Sequence, residues 1–142
     1  MTDHPLELPD VNVLLALMSP SHEFHSPAMA WFRGTARFGT TVVTELGLLR
    51  LLLNPAVMGQ RLDGAYARAM LRSVRADARH SVVSDTSSLA EPVIDVVGLV
   101  GHKQVTDLHL VNLAASVGAR LVTFDRRVRG LVPQSNDYVV TL

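Results

Sequence analysis

Short β-forming runs that reach a carboxylate and pass directly into a helical stretch constrain this chain more than any other feature. Leu6-Glu7-Leu8 ends at Pro9-Asp10 and is followed by the helical Val11–Met18. The run FGTTVV, Phe38–Val43, leads through Thr44 to Glu45 and the helical TELGLLRLLL. RLVTF, Arg120–Phe124, stops on Asp125. Strands alternating with helices predict an α/β domain with a mainly parallel sheet and helices on both faces. In that class ligands sit where the chain leaves the carboxyl ends of the strands. Asp107 follows no strand, but it opens the helical stretch Thr106–Val117, which runs back into RLVTF. A helix of a parallel unit begins at the edge where strands end. Asp10, Glu45, Asp107 and Asp125 are therefore expected on one edge, although they are scattered through the sequence.

The rest of the chain fits the same plan. Phe24–Arg37 reads as a second helix, with Ala28, Trp31 and Phe32 on one side. Thr44 is a suitable N-cap for the helix that follows, with Glu45 in its first turn, and Asn54-Pro55 ends it. Gln60–Arg79 is the clearest amphipathic helix, with Leu62, Tyr66, Ala69, Met70 and Val74 as its inner stripe. Ser81–Ser84 and Tyr138–Thr141 read as further strands. Thr106 is the expected cap of the later helix and Gly118 its stop. Glu91–Lys103 is apolar without a period that assigns it. With no repeat or linker, all 142 residues read as one domain, 1–142.

Charge and cysteine content narrow the chemistry. Basic and acidic residues balance at 13 each, so any nucleic-acid binding has to be local. With no cysteine, thiolate metal sites, disulfides and cysteine nucleophiles are excluded. The amino terminus lacks the pattern of a secretory signal, and no apolar run reaches membrane-span length. A soluble, cytoplasmic protein is expected. Lys103 is the sole lysine beside twelve arginines, which fits coding bias and equally fits phosphate recognition by guanidinium forks.

Converging carboxylates repel one another and stay ionised only when something positive joins them. Oxygen-only ligands suit Mg²⁺ or Mn²⁺, which can activate water for attack on a phosphodiester without a nucleophilic side chain. Each acid has a plainer reading alone: Glu45 and Asp107 as helix-start acids, Asp10 and Asp125 as turn residues at strand exits. LPDVNVLLAL around Asp10, TTVVTELGLLRLL around Glu45, and VTDLHLVNLAASVGARLVTFD from Val105 to Asp125 together resemble the PIN-domain ribonucleases, in particular the VapC-type toxins of bacterial toxin–antitoxin pairs. The resemblance covers the whole chain in order and spacing. It implies a three-layer α/β/α sandwich around a five-stranded, mainly parallel sheet. It also implies Mg²⁺- or Mn²⁺-dependent cleavage of RNA, with tRNA or rRNA as possible substrates. Asp10, Glu45, Asp107 and Asp125 match the acidic quartet of the family as catalytic and metal-binding residues. A homodimer and a cognate VapB-like antitoxin are further implications. Two details depart from the commonest pattern: Val11 replaces a frequent small residue, and Glu91–Lys103 carries little charge.

Supporting residues each have two readings. Asn12 either hydrogen-bonds a metal-bound water or a carboxylate, or satisfies free helix-start amides. Thr123 either orients Asp125 or is simply a β-former. Arg50, with apolar flanks, is expected to pair near the acids or else to snorkel at the surface. Arg126 and Arg127 adjoin Asp125 and are placed to hold phosphate. Arg68, Arg72, Arg75 and Arg79 share a helical face, either solvated or a track for RNA phosphates or an acidic antitoxin. His109 is expected to point away from Asp107. Among rivals, a receiver-like module lacks its lysine at a strand end, and a haloacid-dehalogenase-type phosphatase lacks its Asp-x-Asp. A catalytically inactive PIN-fold module that binds RNA or protein is the main alternative.

Overall fold

The computed structural model describes residues 3–142. Five strands form one sheet: β1 (Glu7–Pro9), β2 (Phe38–Thr40), β3 (His80–Val82), β4 (Arg120–Thr123) and β5 (Val139–Thr141). Their order is β3-β2-β1-β4-β5 and every pairing is parallel. Parallel neighbours need crossovers, and each connection here contains helix. Helices α1 (Val11–Met18) and α2 (His25–Gly34) join β1 to β2. Helices α3 (Val42–Leu52), α4 (Pro55–Met58) and α5 (Gly64–Arg75) join β2 to β3. Helix α6 (Val105–Val117) precedes β4, and α7 (Arg127–Leu131) follows it.

Alternation along the strands sends neighbouring side chains to opposite layers. Leu121 packs with Leu108, Leu110, Val111 and Val128 of α6 and α7. The next residue, Val122, packs with Val13, Ala16 and Ala28 of α1 and α2. Phe38 continues that second layer against Leu14, Leu48, Leu52, Ala67 and Val74. The result is the expected three-layer sandwich, with a wholly parallel sheet. Burial of each such Leu, Phe or Val contributes about 1.5–3 kcal/mol, so the central strands β1 and β4 are fixed from both faces. Among the described residues, no helix is long and apolar enough to cross a membrane.

Several boundaries differ from expectation. The strand expected over Phe38–Val43 stops at Thr40, and Thr41 rather than Thr44 caps α3. Thr41 Oγ1 accepts from Thr44 N at 3.1 Å while Thr44 Oγ1 accepts from Thr41 N at 2.9 Å. This reciprocal box satisfies two orphan amides, and it outweighs the β preference of Val42 and Val43. Helix α5 starts later than Gln60, because Asp63 caps it by accepting from Tyr66 N at 2.7 Å. Its inner side is Ala67 and Val74 with Met70 and Leu71, whereas Tyr66 and Ala69 are exposed. Thr106 does not cap α6: a 3₁₀ turn, His102–Gln104, feeds that helix directly. Gly118 does close it, at φ 70°. β3 begins one residue before the expected Ser81. The segment over 91–103, unassigned by sequence, is irregular up to that 3₁₀ turn. It is tied to α6 by buried Asn112, whose Oδ1 accepts from Val93 N at 2.8 Å.

Candidate active site

Asp10 sits where β1 ends, as the N-cap of α1, and only 7% of it is exposed. Its Oδ1 accepts from Val13 N at 3.0 Å, and its Oδ2 accepts from the Thr123 hydroxyl at 2.6 Å. Burial pushes the Asp10 carboxyl above its usual range, against the lowering effect of these bonds. Thr123 is itself buried at the end of β4, and its Oγ1 accepts from Asp125 N at 3.1 Å. One hydroxyl thus joins the exits of the two central strands. Thr123 therefore meets Asp125 through its backbone amide and Asp10 through its carboxylate.

Asp107 stands in the first turn of α6. Burial first, then the charges of Asp10 and Asp125, push its carboxyl up to about 6. Those influences place the three carboxylates in one electrostatic neighbourhood. Asp125 lies lower than usual because Arg127 hydrogen-bonds it through both nitrogens of its fork, with Nε to Oδ1 and Nη2 to Oδ2 each at 3.0 Å. A cleft lined by Lys103, Gln104, Asp107, Asp125, Arg127 and Val128 opens on one side of Asp125. A second, lined by Asp10, Asn12, His22, Phe24 and Thr123, opens on the other.

Glu45 shares the carboxyl edge of the sheet but is held by different partners. Its Oε2 accepts from Thr40 Oγ1 at 2.6 Å, and its Oε1 lies 3.7 Å from Arg75 Nη1. Thr40 is fully buried, and its Oγ1 is 2.7 Å from His80 Nε2. The single hydroxyl proton of Thr40 goes to Glu45, so His80 must donate from Nε2 to that oxygen. The structure therefore brings Asp10, Asp107 and Asp125 together and turns Glu45 toward β3 and α5. Among the described residues, no three acidic or histidine side chains stand close enough in this arrangement to enclose an ion.

The secondary candidates divide. Asn12 is exposed at the rim of the second cleft, with its backbone amide donating to Asp10. Arg50 is exposed and makes no ion pair among the described residues. The cation beside Glu45 is Arg75, seven residues before the end of β3 rather than five after Glu45. Arg126 is exposed without a side-chain bond among the described residues, while its neighbour Arg127 holds Asp125. His109 turns away from Asp107 as expected and bonds Asp85 at 2.5 Å. Thr40 and His80 escaped the sequence reading. Their meeting depends on the β2–β3 pairing, in which Phe38 lies beside His80, and no local pattern announces it.

Comparison with known proteins gives the fold and site a family. The PIN domain family matches residues 8–131. Ribonuclease VapC38 of Mycobacterium tuberculosis is 41% identical over 131 residues, covering 91% of this chain and 92% of its own. Ribonuclease VapC39 of the same species is 40% identical over 125 residues, covering 82% and 86%. Among solved structures, PAE2754 from Pyrobaculum aerophilum superposes with a TM-score of 0.59 at 23% identity, covering 90% of this chain and 80% of that one. VapBC2 from Rickettsia felis, bound to a DNA fragment from their promoter, gives 0.60 at 10% identity, covering 96% and 98%. These two likenesses bear on the fold alone. The matched span contains all four acids, and the chain belongs to the PIN-domain family, within its VapC-type group.

Proposed function

We propose that this chain is a divalent-metal-dependent endoribonuclease, the toxin of a toxin–antitoxin pair, with Asp10, Glu45, Asp107 and Asp125 as its working carboxylates. The observation that carries the reading is that Asp10, Asp107 and Asp125, from three separate elements, line two open clefts that share Asp125, with Asp107 under the electrostatic influence of the other two. Their donor set is oxygen only, and Asp107 is held near 6 first by burial and then by the charges of Asp10 and Asp125, which Arg127 only partly offsets. Such a set fits Mg²⁺ or Mn²⁺. A bound ion of that kind supplies an activated water and neutralises charge developing on the phosphodiester.

The chain's own residues prepare that chemistry. Thr123 fixes the Asp10 carboxylate and the backbone at Asp125 with one side chain, so the two acids keep a common origin. Thr40, backed by His80, fixes Glu45 at the side nearest α5. Arg127 holds Asp125 while 89% of its side chain remains exposed, leaving donors for a phosphate oxygen. A VapB-like antitoxin is part of the proposal, supported by the VapC names of the relatives. So is a homodimer, for which exposed Val42 and Leu46 of α3 offer apolar surface.

The test is cleavage of a pool of structured RNAs, tRNA and rRNA included, by purified protein with Mg²⁺ or Mn²⁺ and then with EDTA. Cuts that need the metal and vanish in Asp10→Asn are expected. Cutting that survives both changes would exclude the carboxylate site. RNA binding without any cutting would identify an inactive binding module.

A further inference from the structure

Helix α5 carries Arg68, Arg72 and Arg75, at spacings of four and three, so the three share one face. Ala67 and Val74 are buried on the inner side of the helix and fix its rotation. Arg68, Arg72 and Arg75 are exposed, as are the small Ala65 and Ala69 beside them. No acidic residue lies between Gly64 and Arg75, and those flanking the helix are occupied. Asp63 caps it, and Asp77 is chelated by Arg79 with bonds of 2.9 Å. Arg79, which by spacing extends the stripe, is drawn inward instead. It donates to the carbonyls of Phe32 and Thr35 and stacks over the Phe32 ring at 4.5 Å. The open stripe therefore ends at Arg75, whose Nη1 lies 3.7 Å from Glu45 and whose side chain is 49% exposed. That separation exceeds a hydrogen bond, so most of its donors are free.

We propose that this face is a track for the phosphates of a single-stranded stretch of the RNA substrate, and that Arg75 brings the backbone to the Glu45 side of the acidic edge. The inference rests on the ribonuclease reading. Charge complementarity argues for a polyanion: among the described residues Arg68 and Arg72 make no ion pair, and Arg75 meets its acid, Glu45, only at 3.7 Å. Continuity argues for substrate rather than a protein partner, because the row ends at an acid of the site. The stripe also carries no Trp or Tyr of the kind that, beside Arg, anchors protein interfaces. Tyr66 is exposed but lies about 200° round the helix from Arg68.

Binding of a short labelled single-stranded RNA would be followed by anisotropy in EDTA across a salt series, for wild type, Arg68→Gln/Arg72→Gln, and Arg33→Gln as an exposed control on α2. Losing two phosphate contacts should lower the salt slope by about 1.4. KM for RNA cleavage should rise about tenfold with kcat held, since uniform binding is what is lost. Thermal melting should be unchanged, and Arg33→Gln should match wild type. An unchanged slope and KM in the double variant, with wild type binding and cutting normally, overturns the track and leaves the ribonuclease reading intact. So does a variant that keeps RNA binding but loses capture of polyglutamate, which would assign the face to an acidic protein. A wild type that neither binds nor cuts RNA removes both proposals together.

Discussion

At the residue scale, Asp107 carries the clearest sign of a site built at the expense of stability. Its carboxyl is held at about 6 against an ordinary 3.8, mainly by burial and then by Asp10 and Asp125. The folded chain therefore binds this proton more tightly than the unfolded one. The stabilising contribution of protonated Asp107 is complete below about pH 4 and is lost as pH rises through about 6. Asn cannot ionise and escapes that loss. Asp107→Asn should abolish metal-dependent cleavage and yet stabilise the metal-free protein at pH 7. A difference of this size is worth ~3 kcal/mol at full value, and with the partial solvent access of the site about 1–2 kcal/mol is expected. Paired denaturation curves at pH 7 and pH 4 check it: the gain should disappear at the lower pH. A variant less stable than wild type at pH 7 would mean that Asp107 is a structural helix-start acid.

At the element scale, the two helices that carry Asp10 and Glu45 at their starts approach closely at Gly47. A Cβ on Gly47 of α3 meets Val11 Cγ2 of α1 at 2.6 Å and Cγ1 at 3.2 Å. The bulk of Val11 is thus accommodated by a glycine on the facing helix. Gly47→Ala should cost about 1–3 kcal/mol by overpacking, and Val11→Ala in the same chain should recover most of it. A double-mutant cycle in urea, read together with RNA cleavage, measures the coupling; additive effects would show that the two helices are not in register here. This contact also marks what sequence alone could supply. The alternation of strands and helices and the acid at each exit are local patterns, so the layers and the edge positions of Asp10, Glu45, Asp107 and Asp125 were legible. The cap of α3 was misassigned because Thr41 and Thr44 are both good caps, and only their reciprocal bonds decide between them. The partners of Glu45 were not legible at all. Thr40 belongs by pattern to the strand, nothing local marks His80, and Arg75 is one of a uniform stripe from which Arg79 in fact withdraws.

At the scale of the whole molecule, the sheet order sets β1 and β4 side by side at the centre, so that Asp10 and Asp125 leave adjacent strands with Asp107 close by. Carboxylates so placed oppose folding unless a cation joins them, so the proposed metal would be a ligand of the folded state only. Binding then stabilises by mass action, about 1.4 kcal/mol at ten times the dissociation constant. For a domain of this length that should raise Tm by about 4 °C. The rise should appear with Mg²⁺ or Mn²⁺, reverse on addition of EDTA, and be absent from Asp10→Asn and Asp107→Asn. Protons compete at Asp107, so the shift should shrink as pH falls from 7 to 5.5 and Asp107 takes up its proton near 6. Differential scanning calorimetry of the RNA-free protein reads all of this without reference to catalysis. If wild type and both variants respond alike, the ion is acting on the general surface and the acidic edge is not its site. A response confined to wild type and dependent on pH in the stated direction ties the stability of the molecule to the same carboxylates that are proposed to cut RNA.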